Sequence, residues 1–244
     1  MFDLFIETFL RGLLWEFIAA LAGSYYLWKV ENVPFINKIF VWFLWLTLVI
    51  DVSGLYMLFG YYSNYKYFAF VKGTRFVQNY WLFNSYHLIA YCAFLAFFIS
   101  HLSSKKWRKR FWIITLLFSI IAIFNLIFSG VFFTGYAAFT ALGGTLILLF
   151  CIALFFYQVL RSDKILNFYS DLAFYVAIGA LLWHVSITPL FIYNKYGIMS
   201  SSPDFVNFYK GLLLTMNVFM YGCFAVGFII KSKSRYTAKK EVRI

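Results

Sequence analysis

Seven long apolar stretches constrain this chain more than any other feature of its sequence. They cover approximately residues 4–28, 39–60, 79–101, 111–131, 135–160, 168–193 and 207–230. Each is long enough to cross a bilayer as a helix, which takes about 20 residues. Membrane barrel strands are shorter, at about 10 residues, and alternate in polarity. The stretches therefore predict an all-α membrane protein, with a seven-transmembrane-helix bundle over residues 1–230.

The composition excludes a soluble protein. Of the 244 residues, 64% are hydrophobic and 12% are charged, whereas soluble domains are about 45–50% apolar and about 25% charged. The first stretch does not resemble a cleaved signal peptide, because Asp3 and Glu7 stand where such a peptide is basic. Three cysteines lie inside predicted helices, where we expect small buried apolar side chains and no disulfide framework.

The placement of charge predicts the topology. The loops after helices 1, 3 and 5, together with the carboxyl-terminal tail, hold 15 Lys and Arg residues, and all of these segments lie on one side. The opposite loops hold Lys66, Lys72, Arg75 and Lys195. Basic loops stay in the cytoplasm, so we expect the amino terminus outside and residues 231–244 as a basic cytoplasmic tail. A bacterial inner (plasma) membrane is the expected location, with lipid and no nucleic acid as a partner.

Few polar side chains interrupt the apolar stretches, and His184 stands out in "LLWHVSITPLF". Six of these side chains lie about 9–17 Å from the predicted outer helix ends, at about 1.5 Å per residue. They come from six different helices: Glu16, Asp51, His87, Asn125, His184 and Asn217. Asn84 shares a helix face with His87. Scattered structural groups would spread in depth, so the common slab indicates a shared site.

The cost of burying charge supports a shared pocket. A carboxylate at the bilayer centre costs about 2.5–3.5 kcal/mol on insertion scales. Glu16 and Asp51 are therefore expected to be protonated, paired with a histidinium or facing water in an outward cavity. We predict a ligand- or ion-binding pocket formed by Glu16, Asp51, Asn84, His87, His184 and Asn217. The alternative for each residue is a hydrogen bond between packed helices.

Catalytic and cofactor signatures are absent from the sequence. No G-x-S-x-G, H-E-x-x-H, Walker or G-x-G-x-x-G motif occurs, so we expect no catalytic residues, no metal, no cofactor and no enzyme activity. Lys210 comes too early in helix 7 for a retinal linkage. His87 and His184 lie at matching depth and leave a haem protein open as an alternative.

Several short motifs resemble those of one group of bacterial proteins. These are "WEFIAALAGSYYLWK", "IDVSGLY", "NYWLFNSYHLI", "GTLILLFCIALFFYQVLRSD" and "YVAIGALLW". Together they resemble uncharacterised seven-helix bacterial membrane proteins that are often encoded beside sensor histidine kinases. The resemblance implies a signalling role, acidic residues at the positions of Glu16 and Asp51, and no established chemistry.

The sequence favours a non-enzymatic sensor or receptor-like protein, with a polar pocket in the outer half of the bilayer and a basic cytoplasmic face for a signalling partner. A small ion- or proton-coupled transporter or channel using Glu16 and Asp51 is the alternative, and a membrane enzyme or haem protein is a second one. A receptor should have an inner half closed by Phe and Leu, whereas a transporter should show pseudo-symmetry between helices 1–3 and 5–7. The ligand and the oligomeric state do not follow from the sequence.

Overall fold

The computed structural model describes the backbone of residues 2–195 and 203–241, and most side chains between residues 10 and 233. This part of the chain is helical and contains no strand. The α-helices are α1 (Phe2–Lys29), α2 (Phe35–Gly54), α3 (Tyr56–Tyr62), α4 (Tyr80–His101), α5 (Lys105–Phe128), α6 (Val131–Thr134), α7 (Ala138–Leu160), α8 (Leu172–Lys195) and α9 (Pro203–Glu241). Two 3₁₀ segments, Ala69–Val71 and Asp163–Ser170, lie in the connections.

Six helical segments of the described chain are long and apolar enough to cross a membrane. The first of them joins α2 and α3, and the others lie in α4, α5, α7, α8 and α9. The protein is therefore an integral membrane protein. α1 has 28 residues but is not among these six, so the predicted count of seven spans stays a prediction.

Six helices form a closed ring, and α5 lies outside it. Around the ring α1 contacts α2, α2 contacts α4, α4 contacts α7, α7 contacts α8, α8 contacts α9, and α9 returns to α1. α5 packs on the outer side of α4 and α7. Many of its large apolar side chains, including Leu116, Ile121 and Ile127, are exposed on the protein surface, which implies contact with lipid.

α1 and α9 run in the same direction, side by side. Gly12 lies opposite Asn217, and Gly23 lies opposite Phe228. A Cβ on Gly23 would come within 2.8 Å of Val41 on α2, so this glycine allows α1 and α2 to approach closely. The amino-terminal ends of α1 and α9 therefore lie at one end of the bundle. The basic segments at Lys29, Lys38, Lys105 and Arg161 adjoin the opposite helix ends.

Several helix boundaries differ from those predicted from hydropathy. α5 begins at Lys105 rather than near residue 111, because Ser104 caps it by accepting a hydrogen bond from the Trp107 amide at 3.5 Å. α9 continues through the basic tail to Glu241. α8 passes through Pro189 without ending. Hydropathy reports where lipid ends, whereas caps and hydrogen bonds decide where a helix ends.

Candidate functional site

A cavity of about 320 Å³ lies within the ring, towards the end where α1 and α9 begin. Every helix of the ring contributes to its wall, and Tyr136 adds a side chain from the connection before α7. We call it the central cavity. Five of the six residues predicted to form a pocket line it: Glu16, Asp51, His87, His184 and Asn217. The structure thus brings together side chains that are up to about 200 positions apart in the sequence.

Glu16 and Asp51 meet in the wall of the central cavity. Glu16 is 3% exposed, Asp51 is partly exposed, and their carboxyl groups lie within hydrogen-bonding reach of each other. Two ionised carboxylates at hydrogen-bonding distance would repel each other, so the contact requires a proton shared between them. Oε2 of Glu16 is buried and accepts no hydrogen bond from a basic, amide, hydroxyl or backbone donor among the described residues.

The local sequence of α1 explains why Glu16 points inward. Gly12 and Ala20 lie one turn before and after it on the same face, and Ala20 is fully buried. Small residues at this spacing let neighbouring helices approach. α9 comes close enough that a Cβ on Gly12 would lie 4.0 Å from Nδ2 of Asn217. The face that carries Glu16 is therefore turned towards the ring interior.

His184 faces a hydroxyl group on α7. Its Nδ1 lies 3.2 Å from Oγ1 of Thr145, which also contacts the hydroxyl of Thr188 at 3.0 Å and that of Tyr91 at 2.9 Å. Tyr91 donates a hydrogen bond to the carbonyl of Ala141 at 2.9 Å. This network fixes the imidazole ring in the cavity wall, and the carboxyl groups contact each other rather than His184.

Tryptophan and tyrosine side chains orient the remaining polar groups. Trp183 Nε1 donates a hydrogen bond of 2.6 Å to Oδ1 of Asn217, which directs that amide. The hydroxyl of Tyr86 lies 2.9 Å from that of Thr47, and its ring lies beside His87 with centroids 6.0 Å apart. The rigid aromatic rings hold the polar atoms of the wall in defined positions.

Asn84 does not line the central cavity. Its Nδ2 donates to the carbonyls of Val131, Phe132 and Gly135 at 3.3, 3.2 and 2.9 Å, and its Oδ1 accepts from the Ala137 amide at 3.0 Å. The side chain therefore fastens the connection between α5 and α7, which explains its complete burial. Asn125 lies on α5 outside the ring and is also absent from the cavity lining.

Sequence reasoning did not assign several residues of the cavity wall. They are Thr145 in the His184 network and the lining residues Tyr86, Tyr136, Trp183, Tyr209 and Lys210. Aromatics make up 25% of the chain, so a single tyrosine or tryptophan carries no signal. Lys210 could have been found by helical spacing, since it lies seven residues, or about two turns, before Asn217.

Packed phenylalanine rings close the cavity on the side away from the starts of α1 and α9. Phe40 is 1% exposed, and its ring centroid lies 4.5 Å from that of Phe97, 5.5 Å from that of Phe224 and 5.8 Å from that of Phe94. Phe228 lies behind them, 6.3 Å from Phe40. We call Phe40, Phe94, Phe97, Phe224 and Phe228 the aromatic floor. Among the described residues, the cavity ends at these rings and does not continue towards the basic end of the bundle.

The central cavity combines a few polar groups with many aromatic rings. Among the described residues, no group of three or more His, Cys, Asp and Glu side chains is placed to hold a metal ion. Comparison of the chain with protein-family models, curated proteins and solved structures gives no match. The site must therefore be interpreted from its own geometry: a carboxyl pair, two histidines, one amide and a wall rich in aromatic residues.

Proposed function

We propose that the protein is a non-enzymatic, receptor-like sensor of the bacterial inner membrane that binds a small ligand in the central cavity. The observation that carries the proposal is the convergence of Glu16, Asp51, His87, His184 and Asn217 on one cavity closed by the aromatic floor. Ligand pockets are usually preformed, mainly apolar and furnished with a few convergent polar groups. Their volumes begin at about 300 Å³, which matches a cavity of about 320 Å³.

The positive-inside rule supports the orientation of the site. The basic segments adjoin the end of the bundle opposite the cavity, and such segments remain in the cytoplasm. The central cavity then lies in the outer half of the bilayer, with α1 as the seventh span. α1 lies alongside α9 over the interval from Gly12 to Gly23, which supports a spanning position for it.

The basic end supplies a surface for a cytoplasmic signalling partner. The amino-terminal turns of α5 carry five Lys and Arg residues in "KKWRKR", and α9 extends its helix into the basic tail. A ligand in the outer half would bias the packing of α8 and α9 against α1, and α9 would carry that change to the cytoplasmic face. The resemblance to proteins encoded beside sensor kinases agrees with such a partner.

A small proton-coupled transporter is the second candidate function. The ring consists of α1, α2 and α4 followed, after the peripheral α5, by α7, α8 and α9, an order that a duplicated three-helix unit would also produce. A carboxyl pair that shares a proton would suit proton coupling. The aromatic floor favours the sensor, because a transporter must open its site to both sides.

Thiol labelling distinguishes the two candidates. In a chain with Cys92, Cys151 and Cys223 replaced by alanine, Leu213→Cys introduces a thiol in the cavity wall. For the sensor, we expect a membrane-impermeant maleimide to label it in right-side-out vesicles and not in inverted ones. Leu148→Cys is the control, because Leu148 is fully buried and should stay unlabelled in both.

Labelling of Leu213→Cys from both sides would instead support the transporter. Proton flux in liposomes, followed with a pH-sensitive dye, provides the complementary measurement. The sensor should add no flux to that of empty liposomes. Flux that depends on the protein and disappears in Glu16→Gln would replace the sensor by the transporter.

A further inference from the structure

One oxygen of the carboxyl pair receives no hydrogen bond from any described group outside the pair. Oε2 of Glu16 is buried and accepts no hydrogen bond from a basic, amide, hydroxyl or backbone donor among the described residues, although it belongs to a side chain that is 3% exposed and lines the central cavity. Leaving a buried carboxyl oxygen unpaired is costly unless something in the cavity satisfies it. The oxygens of an ionised carboxyl group accept hydrogen bonds and attract positive charge. The group that completes this site is therefore a donor or a cation.

The wall around the carboxyl pair favours an organic cation over a metal ion. Ten of the 24 lining residues are Phe, Tyr or Trp. Aromatic ring faces attract ammonium groups and offer no ligand atom to a metal ion. Ca²⁺ requires about six to eight oxygen ligands and Mg²⁺ requires about six, whereas the two carboxyl groups stand among rings. A carboxyl pair in a wall rich in aromatic rings suits the recognition of an ammonium group.

The one lysine of the lining lies away from the pair. Because Gly12 faces Asn217 and Gly23 faces Phe228, Glu16 lies at the level of Tyr221 on α9. Lys210 precedes Tyr221 by 11 residues, which corresponds to about 16 Å along the helix. Lys210 therefore belongs to the outer part of the cavity and leaves the carboxyl pair as the centre of negative charge.

We infer that the central cavity binds a small organic cation, a protonated amine or a quaternary ammonium compound, with its charged head at Glu16 and Asp51. The carbon atoms around the charged nitrogen contact the aromatic wall, which includes Tyr86, Trp183 and Tyr221. This inference rests on the proposed function for the cavity being a ligand site, and it adds the chemical class of the ligand. A single cationic head matches a pair that holds one proton and one negative charge.

Matched pairs of cations and neutral isosteres test the inference. Choline is compared with 3,3-dimethyl-1-butanol, and benzyltrimethylammonium with neopentylbenzene, because each pair differs by the replacement of the charged nitrogen with carbon. Binding to the purified full-length chain in detergent is measured by calorimetry and by the fluorescence of the tryptophans. We expect each cation to bind at least about tenfold more tightly than its isostere, as charge-assisted contacts are about twice as strong as neutral ones.

Two substitutions locate the effect. Glu16→Gln should weaken binding of the cations by at least about tenfold and leave binding of the neutral compounds unchanged, because only the charged contact is lost. Glu31→Gln is the matched control, since Glu31 is exposed in the connection between α1 and α2, and it should bind the cations as the parent chain does. Thermal unfolding of each variant verifies that it is folded.

Each outcome separates the cation inference from the proposed function. Three outcomes would overturn the cation inference: equal affinity for cation and isostere, an unchanged affinity of folded Glu16→Gln for the cations, or no binding of either cation. In each case, labelling of Leu213→Cys from outside would still support a ligand cavity. If Leu213→Cys is not labelled from outside, the proposed function fails, and the cation inference that rests on it fails with it. A preference for the cations that is lost in Glu16→Gln but kept in Glu31→Gln supports both the cation inference and the proposed function.

Discussion

The same helices form a closely packed aromatic floor at one end of the ring and an open cavity towards the other end. α2 places Phe40 in the aromatic floor and Asp51 in the central cavity, about three turns further on. α4 likewise carries Phe97 in the floor and His87 in the cavity wall. Protein interiors are close-packed, and few voids are larger than a water molecule. A cavity of about 320 Å³ directly above such a floor is an exception to this close packing.

The difference separates a packed half of the ring from a polar half. Phenylalanine rings in the floor satisfy one another through packing, and they have no polar atoms that need a partner. The cavity wall carries carboxyl, imidazole and amide groups, and one carboxyl oxygen accepts no hydrogen bond from a described donor outside the carboxyl pair. Buried polar groups of this kind lower stability, which the packed half offsets. Substitutions in the two halves should therefore have different effects.

The largest loss of stability is expected in the aromatic floor. Phe40→Ala removes a ring that is 1% exposed and contacts five other rings, which should cost about 3–5 kcal/mol. Phe83→Ala, in the cavity wall, removes a partly exposed ring and should cost about 1–2 kcal/mol. Thermal unfolding in detergent compares the two. Equal losses would show that the cavity half is packed as tightly as the floor.

A smaller but clear loss is expected where α4 and α7 touch behind the cavity. A Cβ at Gly144 would lie 2.5 Å from the ring of Tyr91, and overpacking of this kind costs about 1–3 kcal/mol. Gly144→Ala should therefore lower the unfolding temperature. Gly211→Ala is the control, because nothing lies within 4 Å of its Cβ position and alanine favours a helix. An unchanged unfolding temperature in Gly144→Ala would mean that Tyr91 can move freely.

Threonines on α7 test the hydrogen-bond network of His184. Thr145→Val keeps the shape of the side chain but leaves His184 and Tyr91 without that hydroxyl, at a cost of about 1–3 kcal/mol. Thr140→Val is the matched control: Oγ1 of Thr140 is buried and has no partner among the described residues, so valine should be neutral or stabilising. If both variants unfold at the same temperature, the network does not hold the cavity wall.

The smallest effect is expected at the basic end of the ring. Nζ of Lys231 lies 3.4 Å from Oδ1 of Asp171, and the two side chains are 22% and 35% exposed. A pair this accessible to solvent contributes at most about 1 kcal/mol. Lys231→Met should lower stability slightly at low salt and not at about 1 M salt, where screening acts within a few ångströms. A loss of stability in Lys231→Met that persists at high salt would show that the side chain of Lys231 stabilises the basic end by packing rather than by charge.

The sequence predicted that several polar residues would come together, and it was wrong to place Asn125 with them, because α5 lies outside the ring. Helical periodicity and small neighbours placed Glu16, Asp51, His87, His184 and Asn217 on inward faces at similar depth, and the structure puts all five on one cavity. It could not separate Asn84 from them, because Asn84 shares the face of His87. The chain that Asn84 binds, residues 131–137, is brought to it only by the packing of α4 against α6.

What the sequence by itself determined is the all-α membrane class and the position of each side chain along and around its own helix. These properties follow from local rules, namely the length needed to cross lipid and the repeat of about 3.6 residues per turn. Only the tertiary structure decided which helices are neighbours. It placed α5 outside the ring, joined Glu16 to Asp51 rather than to a histidine, and gave His184 the hydroxyl of Thr145. Such pairings depend on how whole helix surfaces fit, which no local pattern records.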